Sequence, residues 1–172
     1  MNKSQRFELI VLPHLDAAYN LARWLTRNPQ DAEDVVQEAC LRAFTSLDGF
    51  HGGEIRAWLL AIVRNASYDW LRKHRQYEQT VMLDEETLHV VDAASDPETL
   101  LLQQVDQQRF REAVETLPVE FREVIVLREL EELSYNEISR IVQIPIGTVM
   151  SRLSRARKRL RHCLTTDRSE GK

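Results

Sequence analysis

The sequence predicts an all-α protein of two small helical domains joined by a flexible acidic linker, and three observations carry that prediction. Glycine and proline number only five each in 172 residues, too few for a turn-rich β fold and well suited to long helices. Apolar residues recur at three- and four-residue spacing behind recognisable helix starts. Charge is segregated along the chain. Residues 1–75 hold ten Lys/Arg against nine Asp/Glu, residues 76–108 none against eight, residues 109–145 five against eight, and residues 146–172 eight against two. The net charge of −4 therefore hides an acidic middle and a basic end, a distribution that often marks a nucleic-acid contact.

These signals divide the chain into a first domain at 1–75, a linker at 76–96, a second domain at 97–165 and a disordered tail at 166–172. Helices are expected near 5–27, 29–47, 54–75, 97–116, 118–131, 135–142 and 146–162. Asn28-Pro29 and Asp96-Pro97 each set a capping side chain before a proline at the first helical position, where the missing N–H costs nothing. Pro118 and Pro145 are expected to open two more helices. Ser134 and Glu137 have the spacing of a capping box. The linker sequence YEQTVMLDEETLHVVDAASD has neither cations nor sustained helical periodicity.

Each working face is read from a helical wheel. The helix after Asn28 turns Ala32, Val35, Val36, Ala39, Ala43 and Leu47 inward and Asp31, Asp34, Gln37, Glu38, Leu41 and Phe44 outward. Outward Leu41 and Phe44 among acidic residues fit anchors in a polar-rimmed protein interface, and equally fit positions that another part of the domain covers. The following helix packs Ile55, Trp58, Leu59, Ile62, Val63, Ala66 and Trp70. Its reverse carries Arg64, Asn65, Tyr68, Arg72 and Arg75, cations interleaved with an amide and an aromatic ring, as single-stranded DNA requires. A solvated surface helix would show the same pattern. The loop DGFHGGE before that helix, which includes Phe50, His51, Gly52 and Gly53, fits a cradle for an unstacked base or a plain connector.

Near the C-terminus a short helix with Ile138, Ile141 and Val142 on one face is followed by the tight turn QIPIG and a longer helix. On that last helix Ile146, Val149, Leu153, Ala156 and Leu160 form an apolar stripe, opposite Thr148, Ser151, Ser154, Arg155, Lys158 and Arg159. This is the layout of a helix-turn-helix. The stripe anchors the second helix, hydroxyls permit close approach to base edges, arginine pairs with guanine, and the flanking cations neutralise phosphates.

Three segments together resemble the extracytoplasmic-function (ECF) sigma factors of the sigma-70 family. YNLARWLTRNPQDAEDVVQEACLRAF resembles the family's first conserved block, RAWLLAIVRNASYDWLRKHR its promoter-melting block, and LPVEFREVIVLRELEELSYNEISRIVQIPIGTVMSRLSRARKRLR its fourth region. The resemblance implies that Asp34, Gln37, Glu38 and Leu41 dock on the β′ clamp helices of core RNA polymerase. It implies that Arg64, Asn65, Tyr68 and the Phe50–Gly53 loop recognise and melt the minus-ten element of promoter DNA. It assigns the minus-thirty-five element to Thr148, Ser151, Arg152, Ser154 and Arg155, and a contact with the polymerase β flap to the fourth region. An anti-sigma factor is expected as a further partner on kinship alone. An acidic protein attracts DNA poorly at long range, so docking on polymerase is expected to supply the positive channel and the spacing between the two DNA-reading faces.

Other classes fit less well. A polymerase-independent helix-turn-helix regulator explains the C-terminal half but not the wholly helical N-terminal one. Catalysis is not expected: Asp31, Glu33, Asp34 and Glu38 largely face away from their apolar stripe, and Glu86–His89, in the linker, makes the one Glu-x-x-His match where a paired-metal bundle needs two. The five histidines and two cysteines show no metal spacing, so no metal, cofactor or small-molecule substrate is expected. No apolar run reaches the ~18 residues of a membrane span, and charges within the first thirty residues disfavour a cleaved signal. A cytoplasmic location without membrane insertion follows as an expectation.

Overall fold

The structure is a computed structural model that describes residues 1–74 and 107–169. Among the described residues every regular element is helical. The first half contains α1 (Lys3–Val11), α2 (Leu15–Thr26), α3 (Pro29–Ser46) and α4 (Ile55–Lys73). The second contains α5 (Gln107–Glu115), α6 (Val119–Ile125), α7 (Tyr135–Val142) and α8 (Ile146–Ser169). The expected linker, the Asp96-Pro97 helix start and Arg75 lie outside the described residues.

The caps act as their sequences require. Asn28 Oδ1 accepts from the backbone N–H of Gln30 at 2.9 Å and of Asp31 at 3.2 Å, fixing the start of α3. Ser134 and Glu137 close a reciprocal box: Ser134 Oγ accepts from Glu137 N at 3.2 Å, and Glu137 Oε2 accepts from Ser134 N at 2.8 Å. Replacing Ser134 with alanine is expected to cost about 1 kcal/mol, read by chemical denaturation. Gln143 then ends α7 in the left-handed region at φ 59, and the Ser139 hydroxyl donates to the Ile144 carbonyl at 2.5 Å, which ties the tight turn.

Three expected boundaries differ. The single helix expected over 5–27 is broken into α1 and α2 by a 3-10 turn at Leu12–His14, because Pro13 cannot continue the hydrogen-bond ladder. The helix expected over 118–131 ends in a π turn at Val126–Leu130, with Glu131 N donating to Val126 O at 3.0 Å. The last helix continues through Ser169, past the expected stop at 162 and into the segment expected to be a disordered tail.

In the first half α2, α3 and α4 pack on one another around Leu21, Leu25, Val35, Ala39, Leu59 and Val63, all buried. In the second, α6, α7 and α8 enclose Val124, Ile138, Ile141, Val149, Leu153 and Leu160. The two halves also pack against each other, α4 against α7 and α2 against α6, so their apolar residues form one continuous cluster. No helix among the described residues is long and apolar enough to cross a membrane.

Candidate nucleic-acid and polymerase interface

The outward face of α3 is the simplest of the three surfaces. Asp34, Gln37 and Glu38 are exposed, and Leu41 is 65% exposed, a large apolar side chain left open between acidic neighbours. Asp31 is half-buried. Glu38 accepts from Arg42 Nε at 2.9 Å, and Arg42 reaches across to Asp69 of α4 at 2.8 Å. Phe44 resolves the other way from Leu41. It is half-buried, with the Phe7 ring of α1 edge-on at 5.5 Å and Lys3 Nζ 5.1 Å from its centroid. The wheel leaves both residues outside; α1 covers one of them.

At the start of α4 the loop presents His51, Gly52 and Gly53 to solvent. Gly52 and Gly53 adopt φ 111 and 106, a region that L side chains rarely enter. Phe50 is half-buried, its ring 5.1 Å from that of Trp58, and its carbonyl accepts from Arg6 at 3.1 Å. This end of the domain is therefore anchored at Phe50 and open at the glycines.

Along α4, Asn65 and Arg72 are exposed, with Arg72 donating to Asp69 at 3.1 Å. Tyr68 is placed on an outer face by the helical wheel, and the structure corrects that placement: it is 3% exposed. The second half of the chain covers it. Arg64 lies over its ring at 3.8 Å and donates through Nε to Glu123 of α6 at 2.9 Å. Burial raises the Tyr68 hydroxyl above its ordinary range, and the nearby Glu123 carboxylate raises it further. Burial likewise pushes the Glu123 carboxyl up, with Arg64, the Tyr68 hydroxyl and Arg152 pulling it back. The Arg64 guanidinium, although burial disfavours its charge, is held protonated by Glu123.

On α8 the apolar stripe is buried at Val149, Leu153, Ala156 and Leu160, while Ile146 is 40% exposed at the helix start. Thr148, Ser151, Arg152, Ser154 and Arg155 are half-buried, and Lys158 and Arg159 exposed. Arg152 approaches Glu123 Oε1 at 3.9 Å. Arg159 lies over the Phe121 ring at 4.9 Å, and Arg157 pairs with Glu129 at 2.7 Å. Sequence reasoning passed over Glu123, Arg122 and Glu131. For Arg122 and Glu123 the signal was available: the apolar residues of VEFREVIVL fall on every side of the helix, and a helix apolar on all sides is a buried one. Among the described residues no group of three or more His, Cys, Asp or Glu is placed to hold a metal ion.

Two family models match the chain, sigma-70 region 2 over residues 10–77 and sigma-70 region 4 over residues 107–160. Over 135 residues it is 36% identical to the ECF RNA polymerase sigma-E factor of Escherichia coli K12, covering 74% of this chain and 71% of that one. The chain belongs to the ECF branch of the sigma-70 family. This sigma factor is also 34% identical over 161 residues to the ECF RNA polymerase sigma factor SigE of Mycolicibacterium smegmatis, covering 94% of this chain and 62% of that one. Among solved structures it matches the sigma factor RpoE in complex with the anti-sigma factor NepR from Bartonella quintana. That match has a TM-score of 0.68 and 31% identity, and covers 95% of this sigma factor and 97% of that chain. Sigma factors are not enzymes, so the acidic cluster on α3 is a surface and not a catalytic site.

Proposed function

We propose that this chain is an alternative sigma factor that binds core RNA polymerase, directs it to specific promoters and helps melt the DNA, with its three surfaces dividing that work. Asp34, Gln37, Glu38 and Leu41, with Asp31 and Phe44 at the rim, dock on the β′ clamp helices. The Phe50–Gly53 loop with Arg64, Asn65, Tyr68, Arg72 and Arg75 takes the melted minus-ten strand. Thr148, Ser151, Arg152, Ser154, Arg155, Lys158 and Arg159 read the minus-thirty-five element in the major groove, and the fourth region touches the β flap. An anti-sigma factor holds the protein inactive until it is needed. The protein works in the cytoplasm, where polymerase and promoters are.

The observation that carries this reading is the occurrence of both sigma-70 regions in one chain, the first of them offering an exposed leucine set among carboxylates. Such a side chain is the kind of apolar anchor that contributes most to a protein interface, and the surrounding carboxylates steer a basic partner. Titration of the labelled full chain with core polymerase tests it. Asp34→Arg/Glu38→Arg is expected to weaken binding about a hundredfold, since like charges at such a rim cost several kcal/mol. Its thermal midpoint should stay near wild type because both side chains are exposed. Equal affinity for the two proteins would remove α3 as the docking face.

A further inference from the structure

The seam between the two halves is fastened by charge. Arg64 of α4 donates from Nε to Glu123 Oε2 at 2.9 Å and from Nη2 to Glu123 Oε1 at 3.4 Å. From the other side, Arg152 of α8 approaches the same Oε1 to 3.9 Å. Glu123 itself has no exposed surface. One buried carboxylate thus joins an arginine from each candidate DNA-reading face, and the Tyr68 ring is shut beneath Arg64.

A second clamp lies farther along the same elements. Arg56 donates to Glu131 Oε2 at 2.6 Å and to the Glu131 carbonyl at 2.7 Å, with the Glu131 side chain only 8% exposed. Arg56 and Arg64 are eight positions apart on α4, and Glu123 and Glu131 are equally spaced along α6 and its π turn. The two pairs run antiparallel, about 12 Å apart at helical rise. Backbone ties add to them: Arg122 donates to the Leu25 carbonyl at 3.3 Å, and Arg27 to the Leu117 carbonyl at 3.4 Å.

A carboxylate offers arginine the same acceptor geometry as a phosphate. We propose that Glu123 and Glu131 latch the free sigma factor closed, with Glu123 holding Arg64, Tyr68 and Arg152 in the place that promoter DNA takes during initiation. The identity of the displaced ligand rests on the minus-ten and minus-thirty-five reading above; the latch itself does not. Buried ion pairs suit a reversible seam, because the desolvation they require offsets much of their attraction. Exchanging the carboxylates for phosphates and polymerase contacts then moves the population to the open form. Docking on polymerase and withdrawal of DNA-reading residues become alternative states of one chain.

The test uses the full chain with Cys40 and Cys163 replaced by serine and a fluorophore pair attached through Asp16→Cys and His162→Cys, exposed positions on α2 and α8. Energy transfer should fall in Glu123→Gln and in Glu131→Arg. Adding Arg56→Glu to Glu131→Arg should restore it, a rescue that a misfolded chain cannot give. Binding of a mixed-sequence single-stranded 20-mer at low salt should tighten about tenfold in Glu123→Gln, the gain expected if the open form is about a tenth of the free protein. Wild-type energy transfer in both carboxylate variants overturns the latch, whatever Arg64 reads. A fall in transfer without any gain in DNA affinity upholds the latch and overturns the minus-ten reading of Arg64 and Tyr68.

Discussion

Replacing Tyr68 with alanine is expected to cut initiation from a duplex promoter roughly thirtyfold while leaving initiation from a pre-melted template within about threefold of wild type. An aromatic ring that receives an unstacked base contributes ~1–3 kcal/mol, and about 2 kcal/mol corresponds to that factor in rate. A template opened in advance no longer needs the ring to capture the melted strand. The ring has a second place in the free protein, buried under Arg64 at 3.8 Å, so the same substitution should loosen the seam. Those two consequences oppose each other, which is why the comparison of duplex with pre-melted DNA, measured by abortive transcript yield, is the informative one. Equal losses on both templates would place Tyr68 in folding and not in melting.

Leu153→Ala should be the most damaging single change to the fold of the second half. The side chain is 1% exposed in the core that α8 shares with its neighbours, and a leucine-to-alanine cavity of this kind costs about 3 kcal/mol. For a unit of this size that lowers the thermal midpoint by about 10–20 °C. Because the same stripe anchors α8, the loss should fall on minus-thirty-five recognition before polymerase docking through α3. Differential scanning calorimetry, paired with polymerase binding, separates the two. Ser151→Ala, a half-buried change of one oxygen, serves as the comparison that leaves the midpoint almost unmoved.

What the sequence made legible is local. The Asn28 cap, the Ser134–Glu137 box and the stripe Val149–Leu153–Ala156–Leu160 are each written within one or two helical turns, and the structure holds them as expected. The acidic, cation-free stretch between two periodic segments carried the division into two helical halves. Pro13 was also visible, and its break in the first helix could have been drawn from the ring alone. The fate of Tyr68 and Arg64 was not legible in this way. Their cover is α6, whose Glu123 lies 59 positions beyond Arg64, and a wheel drawn on one helix contains no information about which distant segment packs on it. Leu41 and Phe44 make the same point at short range: both on the outward face of the wheel, they differ because Phe7 covers only one.

The acidic linker expected at 76–96 lies outside the described residues. Within them the covering acid is on α6, where Glu123 meets Arg64 and Arg152 and a half-buried Glu120 stands nearby, its carboxyl raised above the usual range by burial. Net charge alone does not distinguish an exposed acid from one buried carboxylate, because composition counts both equally.

Run-off transcription decides whether the chain starts transcription through polymerase, with the purified full chain added to core RNA polymerase and a genomic promoter library, and Asp34→Arg/Glu38→Arg run beside it. Discrete start sites that depend on the added chain and disappear with the double variant are the expected result. Tight, specific DNA binding by the chain alone, with no transcripts started in the presence of polymerase, would contradict it and identify a regulator that acts without polymerase.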